Sequence, residues 1–247
     1  MAEKRPERLA VLIDADNISC KIADALFEEV AKIGEAAVRR IYGDFSSPSL
    51  SGWAKALPNH AIIPSQNFAN TTGKNATDIA LVIDAMDLLH SGRFDGFCLV
   101  SSDSDFTRLA ARIREHGMHV YGFGEQKTPE SLRKACHRFI YVENLAAATI
   151  SPDPAATNAS ETSMLPPSKA RPLIQKAISQ LDVEGGWVFL GAVGSQLSKL
   201  APDFDSRSYG HSKLSSLVER DGTFEVQTRE NGAVYMRAKP NNKSAAT

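Results

Sequence analysis

The sequence predicts an α/β protein: a doubly wound, mainly parallel sheet joined by a flexible linker to a small winged-helix domain. Three observations predict it. Apolar strand-like runs alternate with helix-spaced segments through residues 1–145, a stretch rich in Ala, Ser, Thr, Asn and Pro then interrupts the pattern, and three amphipathic segments and a hairpin signal follow. At 247 residues and 43% apolar content, the chain can build one large core or two modest ones.

Leu9 to Ile13 is the first apolar run, and Ile22, Leu26, Val30 and Ile33 after it recur at helix spacing. Val38 to Tyr42 and Ala61 to Ile63 are the next strand candidates, with a short helix between them around residues 50–57. The clearest helix carries Ile79, Val82, Ile83, Met86 and Leu89 on one side, with Thr77 as its expected N-cap. Phe97 to Ser101 has a buried-strand pattern, Phe106 to His116 is helical, and His119 to Phe123 is a strand. A short helix at Glu130 to Ala135 and a strand at Phe139 to Val142 complete the set.

Residues 146–168, including Ser151-Pro152-Asp153-Pro154 and Pro166-Pro167, form the expected disordered linker. Residues 169–240 make the second domain. Leu173, Ala177, Ile178 and Leu181 mark one helix, Ala192 to Leu200 a second, and Leu214, Leu217 and Val218 a third. Phe224 to Gln227 and Val234 to Met236 flank Asn231-Gly232, a hairpin signal. Trp187 and Phe189 are expected in the core, and residues 241–247 form a disordered tail.

The formal net charge of −1 hides an asymmetry: residues 1–168 carry 17 basic against 21 acidic side chains, and residues 169–247 carry 11 against 8. The basic excess permits phosphate contact in the second domain. Cys20, Cys98 and Cys136 lack paired spacing and read as free core thiols. The apolar runs are too short for a membrane span, and the N-terminus lacks an apolar signal core, so the expected location is cytoplasmic.

Three segments concentrate carboxylates: Asp14-Ala15-Asp16-Asn17, Lys74 to Asp78, and Ser101-Ser102-Asp103-Ser104-Asp105. In a doubly wound sheet of order 3-2-1-4-5, the first and fourth strands are neighbours at the topological switch, where ligands bind. That places Asp14 beside Asp103 and Asp105, with Asp78, in the first turn of the intervening helix, able to join them. Crowded carboxylates repel, and all-oxygen ligation without His or Cys favours Mg²⁺ or Mn²⁺ over zinc. Phosphodiester hydrolysis is the leading chemistry. Each acid also has a plainer role: Asp14, Asp16 and Asn17 as helix caps, Asp78 as a favourable charge at a helix N-terminus, and Asp84 and Asp87 as surface or structural groups. Asp16, Asn17, Lys74, Ser101 and Ser102 are candidates for supporting the carboxylates or touching substrate. Lys199, Arg207, His211, Lys213 and Arg220 cluster around the second and third helices of the second domain. A phosphate backbone can meet a winged helix there. Tyr209 is a candidate for stacking on a base or, as the plainer role, for burial at its turn.

Residues 8–145 resemble the NYN domain of the LabA-like branch, a relative of PIN-domain nucleases. The resemblance is carried by Asp14-Ala15-Asp16-Asn17, Tyr42-Gly43-Asp44, Lys74 and Asp78 with Asp84, and Ser101 to Phe106, in that order. It implies a PIN-like fold and a metal-dependent ribonuclease whose metal-binding positions match Asp14, Asp78, Asp103 and Asp105, with Asn17 in a supporting position. Residues 169–238 look like an OST-HTH, or LOTUS, domain through Gly186-Trp187-Val188, Leu197, Pro202-Asp203-Phe204, Tyr209-Gly210 and Phe224-Glu225-Val226. That resemblance implies a winged-helix module associated with RNA and, in some members, with protein partners.

Two other readings compete. Asp14-x-Asp16 after the first strand also suits a haloacid-dehalogenase-type phosphatase with Asp14 as nucleophile, although Ile18 departs from that family's usual Thr or Val. The second is an RNA-binding or scaffolding protein whose acidic crevice binds metal without turnover.

Overall fold

The computed structural model describes residues 5–66, 76–146, 164–181, 185–229 and 232–239, and the chain divides between Ala156 and Thr157 into two compact units. Most of the predicted linker (147–163), the predicted tail, Lys74 and Asn231 lie outside the described residues.

The first unit opens with β1 (Glu7–Asp14), α1 (Ala23–Ile33), β2 (Gly34–Gly43), α2 (Ser51–Ala56) and β3 (Ile63–Gln66). It continues with α3 (Ala76–His90), β4 (Gly96–Val100), α4 (Thr107–Glu115), β5 (His119–Gly124), α5 (Glu130–Ala135), β6 (Arg138–Tyr141) and α6 (Val142–Ala146). The six strands form one sheet in the order β3-β2-β1-β4-β5-β6, every pair parallel.

Alternation along β1 explains why the sheet is covered on both sides. Leu9, Val11 and Ile13 pack with α1, α2 and α6 on one face, while Ala10 and Leu12 meet α3, α4 and α5 on the other. Both sets are fully buried, as expected of a central parallel strand. Chain progression reverses between β3 and β4, which leaves β1 and β4 as neighbours at the switch point.

Several local expectations shift. β2 begins at Gly34, directly after α1, because Glu7, Arg8 and Leu9 pair with Gly34, Glu35 and Ala36 before a bulge. The strand expected at Ala61 begins at Ile63; Ala61 has φ of 50° and closes the Pro58–His60 turn. Thr77 lies within the first turn of α3, which includes Ala76, instead of capping it.

The second unit contains α7 (Arg171–Ile178), β7 (Val188–Phe189), α8 (Leu190–Leu200), α9 (Leu214–Asp221), β8 (Phe224–Thr228) and β9 (Val234–Ala238). The terminal hairpin forms as the sequence predicts, β8 pairing antiparallel with β9, and the short β7 adds a third strand on β9. Ile174, Ala177, Val193, Leu197, Leu217, Val218, Phe224 and Met236 close its core. Met164 to Ser168, expected at the end of the linker, belong to this unit: the Leu165 N–H donates to the Ser208 carbonyl at 3.0 Å and Pro167–Lys169 forms a 3-10 turn. Phe189 is not in the core. Its neighbour Val188 faces inward, so strand alternation turns Phe189 outward, 47% exposed.

Candidate nuclease site

Parallel strands deliver their carboxyl ends to one edge, and the acidic segments follow two of those ends. Asp14 is the last residue of β1 and pairs in register with Tyr42 of β2; Ser101 follows β4 directly. α3 follows β3 and so starts at this same edge, with Asp78 in its first turn.

Hydrogen bonds tie the pieces together. The Ser101 hydroxyl donates to Asp14 Oδ2 at 2.7 Å and accepts from the Asp103 N–H at 3.0 Å. Asn17 Nδ2 donates to the same Asp14 oxygen at 2.7 Å, and the Asp16 N–H reaches Asp14 Oδ1 at 3.2 Å. Asp103 accepts from the Asp105 N–H at 2.9 Å and so caps the Ser104–Phe106 turn that leads into α4. Ser102 accepts the Glu125 N–H at 2.8 Å, which fastens the loop to the end of β5. Asp14 and Ser101 are buried, Asp78 and Asp103 half-buried, and Asp105 exposed, so the acidic groups run from the sheet edge out to solvent.

Electrostatics report the same convergence. Burial, and after it the charges of Asp14, Asp103, Asp105 and Asp16, together push the Asp78 carboxyl up to about 6. Asp14 is also raised by burial, which outweighs the hydrogen bonds from Ser101 and Asn17. Asp16 rises through burial, Asp14 and Asp44.

The donor set is carboxylate and hydroxyl oxygen, which suits a hard divalent ion. Among the described residues, no three His, Cys, Asp or Glu side chains are drawn into a ready-made metal cage. The carboxylate and hydroxyl oxygens gathered around Asp14 fit a hard divalent ion in donor type.

Asp84 takes the structural role expected of it, through partners the sequence did not name, and Asp44 has no role assigned from the sequence. Asp84 Oδ2 accepts the Tyr42 hydroxyl at 2.7 Å and pairs with Arg40 at 2.8 Å, pinning α3 to β2 beneath the site. Asp44 Oδ1 accepts from Gln66 Nε2 at 2.7 Å and from Ser46, joining the ends of β2 and β3 and placing another negative charge near Asp16. The signal for the first was the shared β2 face of Arg40 and Tyr42; for the second, the Tyr42-Gly43-Asp44 segment itself. Close backbone approach shapes the rim as well. A Cβ on Gly124 would sit 2.7 Å from both the Ser101 carbonyl and Thr128 Oγ1.

A family model, the NYN domain, matches residues 8–143. The chain belongs to the NYN domain family. The NYN domain here is a six-stranded parallel α/β unit of PIN-like form, and the family is of the nuclease type. The OST-HTH/LOTUS domain matches residues 165–236, so an RNA-associated module follows the NYN domain in the same chain. A crystal structure of a protein of unknown function from Vibrio parahaemolyticus is similar at 21% identity. It has a TM-score of 0.46 and covers 56% of this chain and 94% of that one. A solution structure of an uncharacterized protein from Nitrosomonas europaea is 36% identical, with a TM-score of 0.30, over 40% of this chain and 96% of that one. No curated protein matches.

In the LOTUS domain, Lys199 and Lys213 are exposed and His211 half-buried. Arg207 Nε and Nη2 engage Asp205 at 2.9 and 2.7 Å. Tyr209 is half-buried and packs against Phe204 with ring centroids 5.7 Å apart. Cys20, Cys98 and Cys136 are free thiols, Cys98 and Cys136 buried. Among the described residues, no helix is long and apolar enough to cross a membrane.

Proposed function

We propose that this chain is a Mg²⁺- or Mn²⁺-dependent ribonuclease that hydrolyses RNA phosphodiester bonds, its LOTUS domain serving as an RNA-binding module. The observation that carries the reading is the bridge from Asp14 through the Ser101 hydroxyl to the Asp103 backbone, which fixes carboxylates from two adjacent strand ends at the switch point. Asp14, Asp78, Asp103 and Asp105 would hold the ion, which supplies an activated water and charge stabilisation at the phosphoryl group. Ser101 and Asn17 hold Asp14 in one orientation, and Ser102 fixes the loop that presents Asp103. Lys21 and Arg108, exposed on the segments that follow the two acidic strand ends, supply positive charge for the flanking phosphates.

The phosphatase alternative is disfavoured by family. The NYN family model over residues 8–143 supports a nuclease and gives a phosphatase that uses Asp14 as nucleophile no support. The purified chain should cleave single-stranded RNA with Mg²⁺ or Mn²⁺ and not in EDTA. Metal-independent cleavage, or metal-dependent release of phosphate from small phosphoesters without RNA cleavage, would reject the reading.

A further inference from the structure

The outward turn of Phe189 creates a feature that packing does not explain. On β7 and β9, Val188 and Met236 face the core, and the opposite face carries Phe189 and Tyr235 in register, their ring centroids 5.7 Å apart. Arg229 lies over the Tyr235 ring at 3.6 Å, and Arg237 over Trp187 at 4.6 Å. Phe189 is exposed, Tyr235 and Trp187 are half-buried beside it, and Arg237 also pairs with Glu225 at 2.6 Å.

Beside these rings, an open groove of about 610 Å³ runs between α8, the start of α9 and the hairpin tip, lined among others by Phe189, Leu190, Gly194, Lys213, Leu214 and Val234. Among the described residues its walls are apolar apart from Ser215, and Lys213 is the one charged residue that lines it. Gly194 leaves the helix backbone bare at the groove, although a methyl there would come no nearer than 3.7 Å to Leu214. Folding does not require glycine at that position, and in a helix interior it costs roughly 1 kcal/mol relative to alanine.

Resting on the RNA-binding reading above, we infer that this groove takes an unpaired nucleobase of single-stranded RNA. The base stacks on Phe189, its phosphate meets Lys213, and the neighbouring nucleotide lies along Tyr235 and Arg229. An apolar, aromatic-walled slot with a cation at its rim complements a flat base joined to a phosphate, and such stacking tolerates any base sequence. The basic excess of residues 169–247 has the matching sign. A duplex keeps its bases stacked internally and cannot fill the slot.

The test is fluorescence anisotropy of the full chain in EDTA, which prevents cleavage, with a labelled oligouridine of about 12 nucleotides and a duplex of equal length. Phe189→Ala should weaken single-strand binding about fivefold or more, while Phe189→Trp retains it. Gly194→Leu, which fills the slot from a second position, should do the same as Phe189→Ala. Lys213→Ala should weaken binding and flatten the salt dependence by about 0.7 in the log-log slope. Circular dichroism establishes that each variant is folded, and Phe189→Ala and Gly194→Leu act from different elements, so loss of one fold leaves the other to decide. Equal binding by the parent and these variants, or duplex binding as tight as single-strand binding, overturns the groove assignment alone. A parent chain that binds neither RNA overturns the RNA-binding reading with it.

Discussion

Asp78→Asn should stabilise the metal-free NYN domain at pH 8 while impairing its response to metal. The Asp78 carboxyl titrates near 6 in the folded chain against an ordinary 3.8, driven by burial and then by Asp14, Asp103, Asp105 and Asp16. A shift of about 2 units is worth roughly 3 kcal/mol for an enclosed group, and solvent screening of this half-buried one leaves about 1–2 kcal/mol. Losing a favourable charge in the first turn of α3 returns up to about 1 kcal/mol, so the net gain at pH 8 is about 1 kcal/mol. The sign follows from linkage. Because the folded value lies above the unfolded one, the penalty is full above pH 6, shrinks as pH falls through the 3.8–6 window, and is absent below it. The assay is urea unfolding in EDTA at pH 8 and pH 4, read by buried Trp53 in a Trp187→Phe background so that only the NYN domain reports. At ten times its Kd a divalent ion should stabilise the parent by about 1.4 kcal/mol, and the variant by less. A variant less stable than the parent at pH 8, or a gain equal at both pH values, would refute the reasoning.

Other consequences follow from single contacts. Ser101→Ala removes the donor to Asp14 and the acceptor of the Asp103 N–H, and should cost about 1–3 kcal/mol in unfolding and roughly tenfold in metal affinity by titration calorimetry. Gly124→Ala drives a methyl against the Ser101 carbonyl and should cost about 1–3 kcal/mol by thermal melting, with slower cleavage. In the LOTUS domain, burial raises the Asp221 carboxyl, but hydrogen bonds from Arg171 and Thr223 outweigh it and hold it below the ordinary range. That contribution is full at neutral pH and lost as pH falls below 3.8, so Arg171→Ala should lower the LOTUS melting temperature at pH 7 and much less near pH 3.

The α/β alternation and the strand order were legible because β1 and β4 are apolar runs stopped abruptly by acids, and their adjacency follows from the winding rule. The placement of three acids was legible to the same depth: Asp14 ends β1, Asp103 caps the turn after β4 and Asp78 lies in the first turn of α3. The missed contacts are those that span long stretches of chain. The Tyr42–Asp84 bond joins residues far apart in sequence, and nothing local marks Asp84 as its acceptor. Phe189 was misplaced because two successive apolar residues suggest a core, whereas a strand can bury only one of them on a given face. Arg207 looks like a phosphate ligand from composition, and only the turn at Asp205 shows its carboxylate partner. β2 extends back to Gly34 because tertiary pairing with β1 overrides the weak strand propensity of Gly34-Glu35-Ala36.

The central claim is that the carboxylates joined through Ser101 form a divalent-metal nuclease site. It is tested most directly by the cleavage rate of single-stranded RNA by the parent and Asp103→Asn across a Mg²⁺ and Mn²⁺ titration. Asn keeps the cap on the Ser104–Phe106 turn, so the variant should fold. The account predicts metal-dependent cleavage by the parent and a rate roughly 100-fold lower or more in the variant. Cleavage by Asp103→Asn at the parental rate, or parental cleavage undiminished in EDTA, would contradict it.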